Sequence, residues 1–413
     1  MLGGLGPWAQ LGRRAVFTAG AYLLAAVVVV VTFIALKGRV DPRLLQGLLG
    51  YFFIASMSAG LEPGTIKAAA LAGANGSAGR DIDVAAALAA SALKGIVAAP
   101  ILALVWRFAD PHIDAAVLIW TPGLCVAGFA ATDLRVWLDL DGRHAAAIWL
   151  KQGGLAGGLA IVAALVWLGA PLAVAIGVST VARLALAATA GVWIAAGRGH
   201  DKAGSRASMR SRIIGLFADH RWLEFAGVSL VAAISGGADR VFGLRYLTAE
   251  AWAGYYLIYE VFSKFWFIPY LLGPILFARR VAEGPRSPFT REAWRLTAGA
   301  GLIFVVGVVG LVVVAPHLPI SGLHLPLGMA TVAFAAAVVI NSFVQLRTVE
   351  LQGAGASRRV LAATGLCAAA SGALFFLGAR ALGAPGLMGA WLIKSAIEFF
   401  ALSLAKRFPR PVA

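Results

Sequence analysis

The sequence predicts an all-α integral membrane protein with about twelve transmembrane helices. Hydrophobic residues make up 60% of the 413 residues and charged residues only 13%, and the mean hydropathy is +0.85. A soluble chain of this length could not carry such a composition on its surface. The apolar residues also recur in segments of about 20 residues, which is the length that a helix needs to cross a bilayer.

The predicted spans form two sets of six, which indicates two six-helix lobes around a central cavity. The N-terminal lobe covers 1–197, a basic cytoplasmic linker covers 198–222, and the C-terminal lobe covers 223–413. The first apolar run is too long for a signal peptide and is taken as the first span. The predicted spans are 15–36, 44–61, 84–106, 115–131, 145–168, 171–196, 223–242, 252–278, 296–314, 327–346, 360–378 and 386–404.

The formal net charge of +16 reflects an excess of Lys and Arg, and the positions of these residues in the loops explain what the excess is for. Most of these residues fall in alternate loops between predicted spans, and the positive-inside rule assigns those loops to the cytoplasm. Both termini are therefore predicted to be cytoplasmic, in a multi-pass protein of the cell (inner) membrane. The linker could also lie as a surface helix on anionic membrane lipids. This explanation of the charge removes the reason to expect a nucleic-acid partner.

Enzymatic and metal-dependent functions find little support in the sequence. Cys125 and Cys367 both fall inside apolar segments, so no disulfide or thiolate metal site is predicted. The six histidines are scattered through loops, which excludes a metal-ligand cluster or a paired catalytic base. We therefore expect no enzymatic activity and no cofactor, while a coupling ion, Na⁺ or H⁺, stays open.

The charged residues inside the predicted spans are the candidates for function. A charge within a bilayer costs about 2.5–3.5 kcal/mol on insertion scales, so it should face protein or a water-filled cavity. Glu260 with Lys264, and Lys394 with Glu398, are four residues apart, and each pair could simply neutralise itself on one helix. The predicted cavity residues are Lys94, Lys151, Arg183, Asp239, Arg240, Tyr256, Glu260, Lys264, Asn341, Gln345 and Lys394.

Basic residues outnumber acidic ones inside the predicted spans. Lys94, Lys151 and Arg183 have no acid one turn away on their own helices, and Arg183 follows Ser179 and Thr180 on a polar stripe. The alternative is that these charges reach the membrane interface or pair across helices. If they line a cavity, that cavity is cationic and suits an anionic cargo, because Arg and Lys bind phosphate through charge-assisted hydrogen bonds.

The segment from Ser235 to Gly284 carries a family resemblance. It contains Asp239-Arg240 at the end of one span, Gly254-Tyr255-Tyr256 early in the next, and a proline-containing exit before Phe277-Ala278-Arg279-Arg280. This pattern resembles the seventh and eighth helices of the polysaccharide transporter (O-antigen flippase, Wzx-like) family of the multidrug/oligosaccharidyl-lipid/polysaccharide (MOP) exporter superfamily. The resemblance covers the whole chain as a pattern of spans and implies a MATE-like arrangement of the two lobes.

The resemblance implies a flippase that moves a polyprenyl-diphosphate-linked oligosaccharide across the cytoplasmic membrane by alternating access, in surface polysaccharide biosynthesis. The lipid-linked oligosaccharide would then be the principal partner, and contacts with other polysaccharide-assembly proteins stay open. One alternative is a multidrug or cation antiporter of the same superfamily, which would need an acidic cavity. The other is a membrane polysaccharide polymerase or ligase, which would need a large outside loop that this sequence lacks.

Overall fold

In the computed structural model, the described residues form helices joined by turns and short irregular segments, and none of them forms a strand. Each predicted span coincides with one helix or with two consecutive helices, which confirms the predicted fold class. The described residues are 7–36, 39–61, 66, 84–141, 143–196, 209–217, 221–283, 289–314 and 328–407. The helices are α1 (Pro7–Leu36), α2 (Pro42–Gly60), α3 (Val84–Ala109), α4 (Ala115–Leu118), α5 (Thr121–Leu140), α6 (His144–Trp167), α7 (Leu172–Ala196), α8 (Met209–Phe217), α9 (Arg221–Tyr246), α10 (Ala249–Ser263), α11 (Phe267–Glu283), α12 (Phe289–Val314), α13 (Met329–Gly353) and α14 (Ser357–Arg407).

Ten helical segments within the described ranges are long and apolar enough to cross a membrane. The sequence predicts twelve spans, two more than these ten segments. One predicted span lies on α2, a 19-residue helix that is not among the ten, and two predicted spans lie together on α14, which counts as one segment. Many large apolar side chains are exposed, including Leu302 and Ile303 of α12, at 68% and 75%. Such exposure is expected where lipid rather than water surrounds the helices. The chain thus has the architecture of a multi-pass membrane protein.

Two predicted spans appear as one continuous segment in α14, which bends sharply at Gly383. Gly383 has φ +64° and ψ −139°, a conformation that residues with a Cβ rarely adopt, and Pro385 follows it. A Cβ on Gly378 would lie 2.6 Å from the carbonyl oxygen of Gly386. The two halves of α14 therefore meet backbone to backbone at the bend, as the predicted break between 378 and 386 requires.

The predicted eighth span, 252–278, consists of two helices joined end to end. A short 3₁₀ turn, Lys264–Trp266, separates α10 from α11. A 3₁₀ stretch tightens the backbone and redirects the chain. Glu260 on α10 and Lys264 in this turn are still one turn apart, so the local change in pitch leaves their side chains adjacent.

The chain divides into two compact units, Met1–Leu230 and Val231–Ala413, here called unit 1 and unit 2. The predicted linker boundaries at 198 and 222 stay a prediction, since only part of that segment is described. Within unit 1, α3 packs closely on α5, because Gly95 lets the helices approach: a Cβ there would lie 2.7 Å from the backbone nitrogen of Val126. Close approach of this kind at small residues is typical of membrane helices.

Aromatic side chains fill the core of unit 2. Phe334 of α13 and Trp391 of α14 are almost completely buried, and their ring centroids are 6.1 Å apart. Tyr259 of α10 lies 6.0 Å from Phe334 and 6.1 Å from Trp391. Edge-to-face and tilted contacts at these distances add to the burial of each ring. They hold the face of α10 that carries Tyr259 against α13 and α14.

Candidate functional site

Arg183 lies in a buried polar cluster inside unit 1. Its helix, α7, is largely apolar, and the Arg183 side chain is only 7% exposed. One turn earlier on α7, the hydroxyl of Ser179 lies 2.6 Å from the hydroxyl of Tyr51 of α2. Ser179 also donates a hydrogen bond of 2.9 Å to the carbonyl oxygen of Gly158 on α6. Three helices thus place polar groups beside the guanidinium.

Gly158 allows these three side chains to pack closely against α6, because it has no side chain of its own. A Cβ at this position would lie 3.0 Å from Cδ of Arg183, 3.0 Å from Oγ of Ser179 and 3.1 Å from the hydroxyl oxygen of Tyr51. Within the described part of the chain, Nη1 of Arg183 is buried and has no hydrogen-bond partner. A buried guanidinium with an unused N–H group can bind an anion by a charge-assisted hydrogen bond.

Lys94 has an acidic partner that the sequence analysis missed. Its Nζ lies 3.2 Å from Oδ2 of Asp133 on α5, and Asp133 also accepts a short hydrogen bond from Ser91. The ammonium group lies 5.7 Å from the ring centroid of Phe217 on α8. The predicted span ended at 131, whereas α5 continues to Leu140, so Asp133 was counted as a loop residue. Lys94 is therefore neutralised within unit 1.

Asp239 and Arg240 belong to a buried network in unit 2. Asp239 is fully buried and accepts a short hydrogen bond from the hydroxyl of Tyr255, which in turn accepts one of 3.2 Å from Trp391 Nε1. Arg240 Nε lies 3.6 Å from Oδ1 of Asp239, and Nη2 donates to the carbonyl oxygen of Gly236. The Arg240 guanidinium also lies 4.7 Å from the ring centroid of Tyr259. The sequence motif thus corresponds to an ion pair held by aromatic neighbours.

The two helical pairs predicted from spacing are both present. Lys264 Nζ lies 2.6 Å from Glu260 Oε2, and Lys394 Nζ lies 2.9 Å from Glu398 Oε2. Glu398 also accepts a hydrogen bond of 2.9 Å from Ser235 of α9. These contacts favour local neutralisation for both lysines, which was the alternative that the sequence left open.

The contacts of the remaining predicted cavity residues do not indicate whether they bind a cargo. Gln345 donates a hydrogen bond of 3.0 Å to Asn341 on α13, so the two amides partly satisfy each other. Tyr256 is buried beside Glu260, and its ring lies 6.3 Å from that of Tyr259. Lys151 is partly buried on α6. Whether these side chains contact a cargo stays a prediction.

The structure changes the charge balance that the sequence analysis used. Asp133 and Glu350 are both buried, at 1% and 2% exposure, because α5 and α13 continue past the predicted span ends. Their sequence context, a polar residue just after an apolar run, gave no signal that the helix continued. The contact between Tyr51 and Ser179 could not be predicted from the sequence either, because the two residues are 128 positions apart. With these additions, Lys94, Arg240, Lys264 and Lys394 each have an acidic partner. For Arg183 no ion pair is found among the described residues, and its Nη1 has no hydrogen-bond partner there.

Comparison with known proteins finds similarity in structure but no match in sequence. No protein-family model matches the chain, and no curated protein sequence matches it. Solved structures do match, among them the eukaryotic MATE transporter AtDTX14, with 13% identity, TM-score 0.65, and coverage of 97% of this chain and 96% of that one. A mutant of the Vibrio cholerae MATE transporter VcmN has 14% identity, TM-score 0.65, and coverage of 96% and 95%.

The lipid II flippase MurJ, in an inward closed conformation, also matches. It has 13% identity and a TM-score of 0.64, and the match covers 96% of this chain and 88% of that one. Two MATE transporters and a lipid II flippase thus share one arrangement of helices with this chain, at sequence identities of only 13–14%. The chain has the fold of the MATE transporters and of MurJ.

Proposed function

We propose that the protein is a flippase that moves a polyprenyl-diphosphate-linked oligosaccharide across the cell (inner) membrane by alternating access, in surface polysaccharide biosynthesis. The observation that carries the proposal is the buried polar cluster around Arg183. Its buried guanidinium has an unused N–H group and polar neighbours, Ser179 and Tyr51, among the described residues. A diphosphate would give this charge a counter-ion in a medium where each contact is stronger than in water.

The fold supports a transporter of this general type. MATE transporters and the lipid II flippase MurJ share it, so the fold accommodates both drug transport and lipid-linked cargo. The charge of the site distinguishes these two cases: a buried cation with no acidic partner among the described residues favours an anionic headgroup and disfavours a cationic drug. Lys94 would contribute less than Arg183, because Asp133 already neutralises it.

The direct test is transport by purified protein in liposomes. We expect a fluorescent polyprenyl-diphosphate-linked saccharide to cross the bilayer when wild-type protein is present. Arg183→Gln should weaken binding of the diphosphate by about tenfold to a hundredfold, since a hydrogen bond to a charged group contributes about 1.5–3 kcal/mol. Arg183→Lys should retain part of the binding, because the charge survives while the planar donor arrangement is lost.

Arg143→Gln is the matched control in unit 1. It removes the same charge from an exposed side chain that pairs with Asp141 on the surface. We expect it to bind and transport like the wild type. Equal binding of the diphosphate by the wild type and by Arg183→Gln would contradict the proposed cargo site.

A cation antiporter is the second candidate, and one observation favours it. Asp239 is fully buried, and its Oδ1, which lies 3.6 Å from Nε of Arg240, has no hydrogen-bond partner among the described residues, so this carboxylate could contact a coupling ion. Accumulation of a lipophilic cation driven by a Na⁺ or H⁺ gradient, with no movement of the lipid-linked saccharide, would replace the flippase by the antiporter.

The proposed orientation places both termini in the cytoplasm. It depends on the distribution of Lys and Arg between alternate loops. Reporter domains inserted at Gly204 and Gly322, both outside the described residues, test it directly. The reporter at Gly204 should be active only in the cytoplasm and the one at Gly322 only outside, and the opposite result would reverse the direction of transport.

A further inference from the structure

A second cluster of buried charges surrounds Glu350 in unit 2. The Glu350 side chain on α13 is 2% exposed. Its Oε1 accepts a short hydrogen bond from Arg280 of α11 and one of 2.9 Å from Lys406 of α14. Its Oε2 accepts a hydrogen bond of 2.6 Å from Arg347, three residues earlier on α13. Three cations from three helices therefore share one carboxylate.

Within the described residues, the three basic side chains of the cluster converge on a single carboxylate, that of Glu350. The side chains of Arg280 and Arg347 are only 5% and 14% exposed, so water screens them poorly. The helices all end near these residues, and the partial negative charge at a helix C-terminus offsets part of the positive charge. Helix ends do not, however, satisfy every donor. Within the described residues, Nε of Arg347 is buried and has no hydrogen-bond partner.

The basic side chains are also held in place before any ligand arrives. The Arg347 guanidinium lies 4.5 Å from the ring centroid of Trp294, an arrangement that fixes its plane. Arg280 packs against Gly353, where a Cβ would lie 2.8 Å from Cβ of Arg280. Lys406, in contrast, is 49% exposed, so the cluster is accessible from the protein surface on that side. Fixed guanidinium groups with an open approach are well suited to bind oxyanions.

We propose that Arg280, Arg347 and Lys406 form a phosphate-binding site, with Glu350 holding the three side chains in position. The ligand is a phosphate group, either in the headgroup of an anionic phospholipid or in a free phosphate ion. The distribution of Lys and Arg predicts that this end of unit 2 faces the cytoplasm, where both are present. The residues of this site all belong to unit 2, whereas the residues of the proposed cargo site belong to unit 1.

The test uses the full-length protein in nanodiscs, with thermal unfolding and native mass spectrometry as readouts. In discs of phosphatidylcholine, added inorganic phosphate tests the free ion. In discs that also contain phosphatidylglycerol, retention of the lipid on the protein tests the headgroup. A raised unfolding temperature together with a bound ligand in either arm supports the site, and the arm that responds identifies the source of the phosphate.

Lys406→Gln is the primary variant, because its half-exposed side chain near the end of a long helix should be tolerated. We expect it to weaken binding about tenfold, as the loss of one charge-assisted contact predicts. Arg347→Gln, which removes the unused donor, should weaken binding at least as much. Arg295→Gln is the matched control, since Arg295 is an exposed residue of α12 in the same unit; its binding should equal that of the wild type.

Three results would overturn the site. The first is the absence of any response to phosphate or phosphatidylglycerol. The second is equal binding by the wild type, Lys406→Gln and Arg347→Gln, even if both variants unfold at a lower temperature, because the cluster would then be only a clamp between helices. The third is an equal loss in Arg295→Gln, which would mean that the anion responds to the general surface charge.

Discussion

Replacing Arg183 by methionine should stabilise the empty protein while it abolishes binding of the cargo. Residues selected only for folding are rarely destabilising, so this combination distinguishes a binding residue from a structural one. The side chain of Arg183 is buried and its Nη1 is unsatisfied among the described residues. The hydrogen bonds that Ser179 makes to Tyr51 and Gly158 do not involve the guanidinium and should persist.

The expected gain in stability follows from the cost of the unused donor. A buried polar group without a partner costs about 1–3 kcal/mol, and more when it is charged. Insertion scales likewise place arginine about 3 kcal/mol above apolar residues at the centre of a span. Methionine is unbranched and flexible, so it should fill most of the volume that Arg183 leaves. We therefore expect the free energy of unfolding to rise by about 1–3 kcal/mol.

Lys394→Met is the control, and we expect it to lower the free energy of unfolding. Lys394 is also a buried cation, at 4% exposure, but it lies 2.9 Å from the buried carboxylate of Glu398. Its removal leaves Glu398 with the hydrogen bond from Ser235 and without its ion pair. Breaking a buried pair in this way costs about 3–5 kcal/mol. Both substitutions replace a buried cation by methionine, and they should shift stability in opposite directions.

The assay is thermal or denaturant unfolding in detergent without ligand, together with a diphosphate-binding measurement on the same preparations. A higher midpoint for Arg183→Met, a lower one for Lys394→Met, and lost binding in the former would agree with the reasoning. If Arg183→Met were destabilised as much as Lys394→Met, then Arg183 would be part of the fold, and the proposed cargo site would lose its main support.

Three further predictions follow from the other ion pairs and from the bend in α14. Asp133→Asn should lower the unfolding temperature, since it weakens the buried pair with Lys94, and adding Lys94→Gln should restore part of the loss. Glu260→Gln and Lys264→Gln should each be destabilising, and a double-mutant cycle should give a coupling of about 0.5–3 kcal/mol; a value near zero would contradict the 2.6 Å contact. Gly383→Ala should cost about 1–2 kcal/mol in unfolding experiments, because φ is +64°, and an unchanged stability would mean that the bend is not constrained there.

The sequence was sufficient to predict the fold class, because the bilayer imposes a simple rule. A segment of about 20 apolar residues must satisfy its own backbone hydrogen bonds in lipid, so it forms a helix whatever its neighbours are. The predicted spans accordingly lie on the observed helices, and the break between the last two falls at Gly383. Local spacing also predicted the pairs of Glu260 with Lys264 and of Lys394 with Glu398, since four residues make one turn.

The same rules could not predict that acidic residues near the span ends are buried and paired. Hydropathy ended two spans before Asp133 and Glu350, whereas the helices continue through both residues. Each is tolerated there because a basic side chain from another helix neutralises it: Lys94 of α3 for Asp133, and Arg280 and Lys406 for Glu350. A window of apolar residues contains no information about partners that are 39 to 70 positions away.

The sequence by itself therefore determined a bundle of membrane helices and a set of charged residues inside it. Only the tertiary structure decided which of those charges are neutralised. Lys94 and Arg183 looked alike in the sequence, since each had a nearby serine and no local acid. Packing of α3 against α5 gives Lys94 its carboxylate, while α2 and α6 bring the Tyr51 hydroxyl and the Gly158 carbonyl close to Arg183. The physical reason is that ion pairs between helices depend on which faces meet, and that is a property of the packed bundle.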